Sequence, residues 1–589
     1  MKSFAVHHLR EIVFLFLLLQ VLATSLLLFI LKKGGVATYC NLKTAPILFH
    51  GLRLRNMKWP DFFTVTIFIP CLFIYSWLLV YHADLSWPDH SHITKRIVSG
   101  ELWMQINPSN GRFSPMLHQE FLIFSLFAKQ AIHYYIISIC YLALITIAML
   151  CTIPFNSLFS RIILISTLLF STSFALPISG LIFPEINIIL GFTLFLYIEI
   201  KRIDNKNEDK RNINLINITS LAVVTYLIYL KEPFFLFFIC YSVISVCSFF
   251  MNGNTILSFG RSQLIRNFLV TCSMELCYVI IAIIYLILYY ILIYCHITIP
   301  YASESNEGLI KTIIKMVYAS PLLALFIFGL IIRGASLIGN PRSILPVWDP
   351  FAFSLVIYMA VLIYHGLWFY NYYLPVIFFS ILYIPRTIVL DYNKYSKAIY
   401  LAISFLILVC SIPKTLLFFQ KRELFMESRN KTVNKLLQSN NDKIGKIYFI
   451  ERIKGYEAEE FVSYAKFKGL EIYLEDKKSQ RKELSNNYLY LIPLSFDSNK
   501  NVTVKEICDS ALQEGYKIQA NDLIVSLPDQ EGKSVIVTGS NNETRNWTKY
   551  NMEIPYQDNL LVASLKRLIY SQVFSNSTAR FEPFLFRVN

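Results

Sequence analysis

Between His82 and Glu120 the sequence crowds together side chains that move protons and bind charge. The run His82-Ala83-Asp84-Leu85-Ser86-Trp87-Pro88-Asp89-His90-Ser91-His92 leads through Glu101 and Trp103 to Gly111-Arg112-Phe113-Ser114-Pro115, His118 and Glu120. A carboxylate in such a loop can act as general base toward a hydroxyl or hold a metal ion against a phosphate, and Arg112 can pair with that phosphate. Asp84 and Asp89 are the candidate bases. Asp89 is favoured, because Trp87-Pro88 can start a surface helix just before it. His90 and His92 beside Asp89 offer a weak divalent-metal set, since a spacing of two aims both rings at one ion only with strand geometry. The same residues also suit a solvated amphipathic loop with interfacial Trp anchors.

Three other places combine ionisable or aromatic groups with apolar surroundings. Glu185 follows Phe183-Pro184, and Lys231-Glu232-Pro233 interrupts an apolar run from Leu221 to Phe238. Ionised groups in such company usually face a bundle interior or a water-filled cavity. A plain interfacial corner, with the lysine reaching headgroups and the proline ending a helix, is the alternative for Lys231 and Glu232. The third place runs from Tyr364 and His365 to Asn371-Tyr372-Tyr373-Leu374-Pro375. There His365, Tyr372 and Tyr373 form either an ordinary aromatic belt or a stacking surface for a sugar or isoprenoid. Glu275 lies deep in its own apolar run and takes no assigned role.

The elements that must position these residues are membrane helices. Of 589 residues, 55% are hydrophobic and only 16% charged, which excludes a soluble globular enzyme, whose charged share is about 25%. Windows of about 20 apolar residues predict about twelve spans. They lie near 11–31, 61–81, 132–153, 162–180, 184–200, 214–230, 233–250, 267–295, 317–333, 350–369, 372–390 and 398–418. The formal charge of +15 comes from cations beside these spans rather than from one patch, so nucleic acid is not an expected partner. Lys and Arg clusters after alternate spans assign one side to the cytoplasm. The loop 82–131, Glu185, the Lys231 corner, the Tyr372 corner and everything after residue 418 then fall on the other side. The eleven cysteines show neither a disulfide framework nor a zinc spacing.

After Lys421 the composition turns rich in Lys, Glu, Asn and Ser. The expected organisation is a transmembrane domain over 1–418 with its catalytic loop at 82–131, and a soluble α/β domain over 419–589. Strands are expected at 446–452, 470–474, 488–494, 535–538 and 584–588, with a helix at 458–468 and a βαβ start.

The order of these features resembles the GT-C class of membrane glycosyltransferases, which includes the protein O-mannosyltransferases and the lipid A aminoarabinose transferases. The matching residues are Asp84 and Asp89 in the first large outer loop, Gly111 to Pro115, Phe183-Pro184-Glu185, Lys231-Glu232-Pro233 and Asn371 to Pro375. The chain departs from the class in separating its two acids and in placing the loop after the second span. The resemblance implies an α-helical polytopic fold and a polyprenyl-phosphate-sugar donor. It also implies transfer, with inversion, to a glycan, lipid or protein acceptor on the outer face. In that scheme Asp89 or Asp84 is the base and Arg112 and Lys231 stabilise the departing phosphate. Glu185 orients acceptor or metal, while Glu232, His365, Tyr372 and Tyr373 contact substrate. A divalent ion is possible rather than required. The expected location is a bacterial inner membrane, with the terminal domain periplasmic. A transporter or flippase, a polymerase of lipid-linked glycans and a non-catalytic scaffold are the competing readings.

Overall fold

The computed structural model describes residues 9–33, 59–81, 83–87, 90–99, 105–107, 111–155, 157–204, 210–252, 272–297, 309–367, 370–389, 394–439, 446–451, 456–475, 489–496, 502–519, 521–527, 537–538, 547–549 and 584–588. The chain is mostly helical, with several apolar helices and a small, largely parallel sheet. In chain order the helices are α1 (Leu9–Lys33), α2 (Trp59–Val80), α3 (Ser91–Ser99), α4 (Glu120–Phe124), α5 (Ala131–Thr152), α6 (Leu158–Leu169) and α7 (Thr172–Ser179). They continue as α8 (Glu185–Asp204), α9 (Lys210–Leu230), α10 (Phe234–Asn252), α11 (Ser273–Leu292), α12 (Leu309–Ala319), α13 (Pro321–Gly339), α14 (Trp348–Tyr364), α15 (Leu374–Ile384) and α16 (Lys394–Ser439). The predicted spans overlap these helices, 162–180 covering both α6 and α7 and 317–333 running from the end of α12 into α13, and the helices differ in length. Among the described residues four helices are long and apolar enough to cross a membrane, five with the bent pair α6–α7, and further apolar helices are shorter. Such helices fit a membrane protein.

The bend has a local cause. Ser171 caps α7 by accepting from the Phe174 amide while its hydroxyl donates to the Leu168 carbonyl, so the chain turns by 65° between α6 and α7. Gly180 ends α7 at a point of close approach, where a Cβ would lie 2.3 Å from the Phe183 ring. The bundle interior is unusually aromatic. Phe192, Phe195, Phe237, Phe351 and Phe379 pack face to edge or stacked, with centroids 4.4–6.2 Å apart, and lock α8, α10, α14 and α15 together.

Charges inside this bundle are paired. Arg333 on α13 meets the Asp349 carboxylate on α14 at 2.8 Å, Asp349 also accepts from Tyr383 on α15 at 2.7 Å, and Arg333 donates to the Ser343 carbonyl. Glu199 and Glu275 share Arg202 at 2.6 and 2.7 Å, with Tyr278 and Ser220 donating to Glu199.

The C-terminal region holds a six-stranded sheet, in spatial order β4 (Ile472–Leu474), β5 (Leu489–Ser495), β3 (Ile447–Glu451), β7 (Leu523–Ser526), β10 (Phe584–Val588) and β9 (Trp547–Lys549), and a separate parallel pair, β6 (Val502–Thr503) with β8 (Val537–Thr538). Strands β3, β4, β5 and β7 are parallel, and β9 and β10 antiparallel. Helix α17 (Tyr456–Phe467) makes the crossover from β3 to β4, as the sequence pattern predicts. Alternation along β3 sends Ile447 and Phe449 to one face, under α17 and the end of α16, and Tyr448 and Ile450 to the other, under α18 (Val504–Gln513). The domain boundary expected after residue 418 falls inside α16, an uninterrupted helix of 46 residues. Its early turns bond the bundle through Thr167 to the Ser404 carbonyl and Thr415 to the Phe170 carbonyl, and its last turns bury Val433 and Leu436 against the sheet. The composition changes at Lys421, yet the following Lys, Glu and Leu residues are good helix formers, so the helix carries on.

Truncating Arg333 to Ala would strand Asp349 among apolar helices, a loss of about 3–5 kcal/mol. Thermal unfolding of the purified chain in detergent should show a drop in melting temperature far larger than for Lys311→Ala on the exposed face of α12. Equal melting temperatures for the two variants would show that the pair contributes little.

Candidate functional site

The turn between α9 and α10 brings Lys231 and Glu232 to the end of the bundle that carries the loop residues and the C-terminal sheet. Pro233 stops α9, and the Phe234 amide donates to the Lys231 carbonyl at 3.2 Å. The Lys231 side chain is buried and its ammonium sits 2.5 Å from Glu185 Oε1, in the first turn of α8, where the helix dipole favours a carboxylate. The same ammonium lies 4.2 Å from the Tyr372 ring centroid. Tyr372 is held from behind by Tyr358, which donates to its carbonyl at 2.9 Å and stacks on Phe234. Glu185 is fully buried, and its Oε2 has no hydrogen-bond partner among the described residues.

Glu232 points the other way, into the Gly111-Arg112-Phe113 segment. Its Oε1 accepts from the Phe113 amide at 3.2 Å and its Oε2 is 3.8 Å from Arg112 Nη1. Arg112 opens β2 (Arg112–Ser114), which pairs antiparallel with β1 (Gln105–Asn107), and Gly111 supplies the positive φ of +83° that the approach to β2 requires. Tyr285 and Tyr289 on α11 donate to the Phe113 and Gly111 carbonyls, while the Met116 amide donates to the Tyr229 carbonyl. Residues from four separate stretches of sequence thus meet at one corner: Arg112 with Glu232, Lys231 with Glu185, and Lys231 with Tyr372. Two cations and two carboxylates are neutral together, with the Lys231 pair buried and the Arg112 pair partly open.

Asp84 has different company. Its Oδ1 accepts from the Leu85 amide at 2.7 Å, and its Oδ2 accepts from Tyr464 at 2.6 Å and lies 3.3 Å from Lys468, both on or just after α17 of the C-terminal domain. The Asp84 carbonyl accepts from Tyr135 on α5. A carboxylate with three donors is built as an anchor, and burial together with the Asp84 charge pushes the Tyr464 hydroxyl well above the usual tyrosine range. Around it Lys95 pairs with Glu459, Arg429 bonds the Ser86 carbonyl and faces Glu460, and Trp87 packs on Phe418, Phe425 and Met426 of α16.

His90 is fully buried, with Nε2 3.0 Å from the Gly180 carbonyl and Nδ1 without a partner among the described residues. Burial, aided by the charges of Arg422 and Arg429 and opposed by the Gly180 bond, holds its pKa down at about 3. Its Nε2 is therefore committed to a carbonyl rather than to an ion. Asp89 and the side chain of His92 lie outside the described residues. Among the described residues no three His, Cys, Asp or Glu side chains converge as a metal set. Helix α3 does begin just past Asp89, at Ser91. Tyr373 is buried and donates to the Leu367 carbonyl at 2.6 Å, whereas His365 caps α14 at the surface.

Several groups here carry no sequence signal. Tyr464 and Lys468 reach Asp84 across some 380 residues. Glu120 accepts from Asn187 at 2.7 Å in an aromatic-walled crevice between α4, α5 and α8, where burial pushes its carboxyl above the usual range. Only the position of Glu120 at the end of the acidic loop hinted at it. No family model, curated protein or solved structure matches the chain.

Because His90 is neutral in the fold and its pKa lies below the ordinary 6.5, its contribution to stability is complete above pH 6.5 and is lost as pH falls from 6.5 toward 3. Amide exchange over α3, corrected for its intrinsic pH dependence, should therefore accelerate between pH 7 and pH 4.5, and His90→Gln should flatten that response. An equally steep response in the variant would assign the sensitivity to another group.

Proposed function

We propose that the chain is a membrane glycosyltransferase. It takes a sugar from a polyprenyl-phosphate donor and passes it to a hydroxyl of a glycan, lipid or protein acceptor, on the side that carries the C-terminal domain. The observation that supports this reading is the meeting of Arg112, Glu232, Lys231, Glu185 and Tyr372 at one corner of an apolar bundle. A lipid-linked phosphate needs a cation-bearing pocket at the boundary of hydrocarbon and water, and that corner has the required chemistry.

In the proposed reaction the acceptor oxygen attacks the anomeric carbon while the bond from that carbon to the phosphate oxygen breaks. The electron pair leaves with the phosphate, and the acceptor proton passes to Asp89. Arg112 meets the developing phosphate charge from the open side of the corner, and Lys231 offers the donors that Glu185 does not occupy. Glu185 keeps Lys231 charged in apolar surroundings and fixes its position, and Glu232 does the same for the backbone that presents Arg112. Tyr372 lines the donor side, Tyr373 holds that turn through its bond to the Leu367 carbonyl, and His365 reaches substrate at the surface. Asp84 acts through the loop it anchors. This reaction has no step through a metal ion.

Membranes with wild type, Asp89→Asn, Arg112→Gln or Lys231→Met at matched levels are compared by lipid mass spectrometry. Loss of a preorganised donor to a developing charge costs about 10²–10³ in rate. The polyprenyl-phosphate sugar should accumulate and a glycosylated product disappear in the variants, and the accumulated mass identifies the sugar. Identical lipid-linked sugars in all four membranes would overturn the transferase reading.

A further inference from the structure

Away from the Lys231 corner, Glu120 lines a crevice between α4, α5, α7 and α8 that the proposed reaction does not use. Phe121, Phe124, Tyr134, Tyr141 and Phe183 wall it with aromatic rings. The wall is continuous on the α4 side, where the Phe121 ring packs against Phe124 at 6.2 Å and against Tyr134 at 6.0 Å. The free space inside is about 20 Å³, room for one group the size of a water molecule.

The charge of this lining is unbalanced. Glu120 is its carboxylate, and no Lys, Arg or His stands among the residues that form it. The Glu120 carboxylate accepts from the Asn187 side-chain amide at 2.7 Å and pairs with no cation among the described residues. Enclosure pushes its carboxyl upward, because a charge withdrawn from water has no opposite charge to hold it. Asn187, Ser138 and Tyr141 add oxygen acceptors to the same lining. An anion is repelled by such a site. A small cation that donates hydrogen bonds finds a carboxylate, further acceptors and aromatic rings.

The surroundings are apolar. Along α5, Tyr134, Ser138 and Tyr141 line the crevice, while Ile132, Ile136 and Leu144 are exposed on an adjoining stripe of the same helix. Ile123, Leu126 and Phe127, in and just after α4, are exposed as well. A headgroup anchored by hydrocarbon chains can reach the crevice along that surface.

We propose that this crevice binds a primary ammonium group, of the kind that ends an ethanolamine phospholipid. The ammonium donates to Glu120 among the rings, and the rest of the molecule stays outside. A trimethylammonium group is excluded twice, by its volume and by having no N–H to donate. The site shares no residue with the Lys231 corner, and it stands whether or not the chain transfers sugars. Two sources carry the required chemistry, a lipid headgroup and a water-soluble amine.

Native mass spectrometry of the full chain in detergent tests the site and separates the sources. The protein is titrated with phosphatidylethanolamine and with phosphatidylcholine, which carries the same phosphate without an N–H, and free ethanolamine is added as competitor. The wild type should bind phosphatidylethanolamine about tenfold or more tightly than phosphatidylcholine, since the second lipid cannot make the charge-assisted hydrogen bond. Glu120→Gln keeps the shape of the side chain and should erase that preference while leaving phosphatidylcholine binding unchanged. Ser138→Phe fills the crevice from α5 and reads the same site if Glu120→Gln does not fold. Displacement of phosphatidylethanolamine by an equal concentration of ethanolamine supports the proposal with a soluble amine as the source, and resistance to it supports the membrane lipid. Equal affinity of the wild type for the two lipids, an undiminished preference in a folded variant, or failure of the wild type to bind phosphatidylethanolamine would each overturn the proposal.

Discussion

The ion pair between Lys231 and Glu185 sets the terms for the surrounding structure. An ammonium buried among apolar helices is tolerated only with a partner at hydrogen-bond distance, because desolvation costs several kcal/mol per ion. Meeting that requirement ties the α9–α10 turn to the start of α8, and the Tyr372 ring adds the turn before α15. With three helix ends gathered, Glu232 is presented to the Phe113 amide and Arg112, so the β1–β2 hairpin has a fixed seat. The site is thus held by the same charges that would do its chemistry.

The same constraint organises the opposite end of the bundle, where Arg333 with Asp349 joins α13 to α14, and Arg202 with Glu275, beside Tyr278 with Glu199, joins α8 to α11. Between these two ends the core is filled by stacked and edge-on aromatic rings, which supply packing area without adding polar groups that would need partners. The polar clusters therefore fix the register of the helices, and the rings fill the space between them.

The C-terminal domain is coupled to the bundle rather than appended by a linker. Helix α16 runs from one into the other without a break, and Asp84, Lys95 and Ser86 of the loop bond α16 and α17. The neutral His90 beneath Arg422 and Arg429 belongs to this junction. The loop that bears the proposed base is consequently held between two bodies, and its position depends on both.

The amino-acid sequence by itself determined the helical segments, since runs of about 20 apolar residues have few alternatives to helix in the absence of water. It also determined the βαβ order of the C-terminal domain, which follows from period-2 and period-3.6 patterns within single elements. It marked Glu185, Lys231 and Glu232 as residues out of place in an apolar context, Arg112 as the cation of the polar loop, and Tyr372 as part of an aromatic corner. Pairing was beyond its reach, because a side chain's charge is local information while its partner lies tens or hundreds of residues away. Only the tertiary structure joined Lys231 to Glu185 and Arg112 to Glu232. It likewise gave Asp84 to Tyr464 and Lys468, where acidity alone had made it a candidate base equal in kind to Asp89.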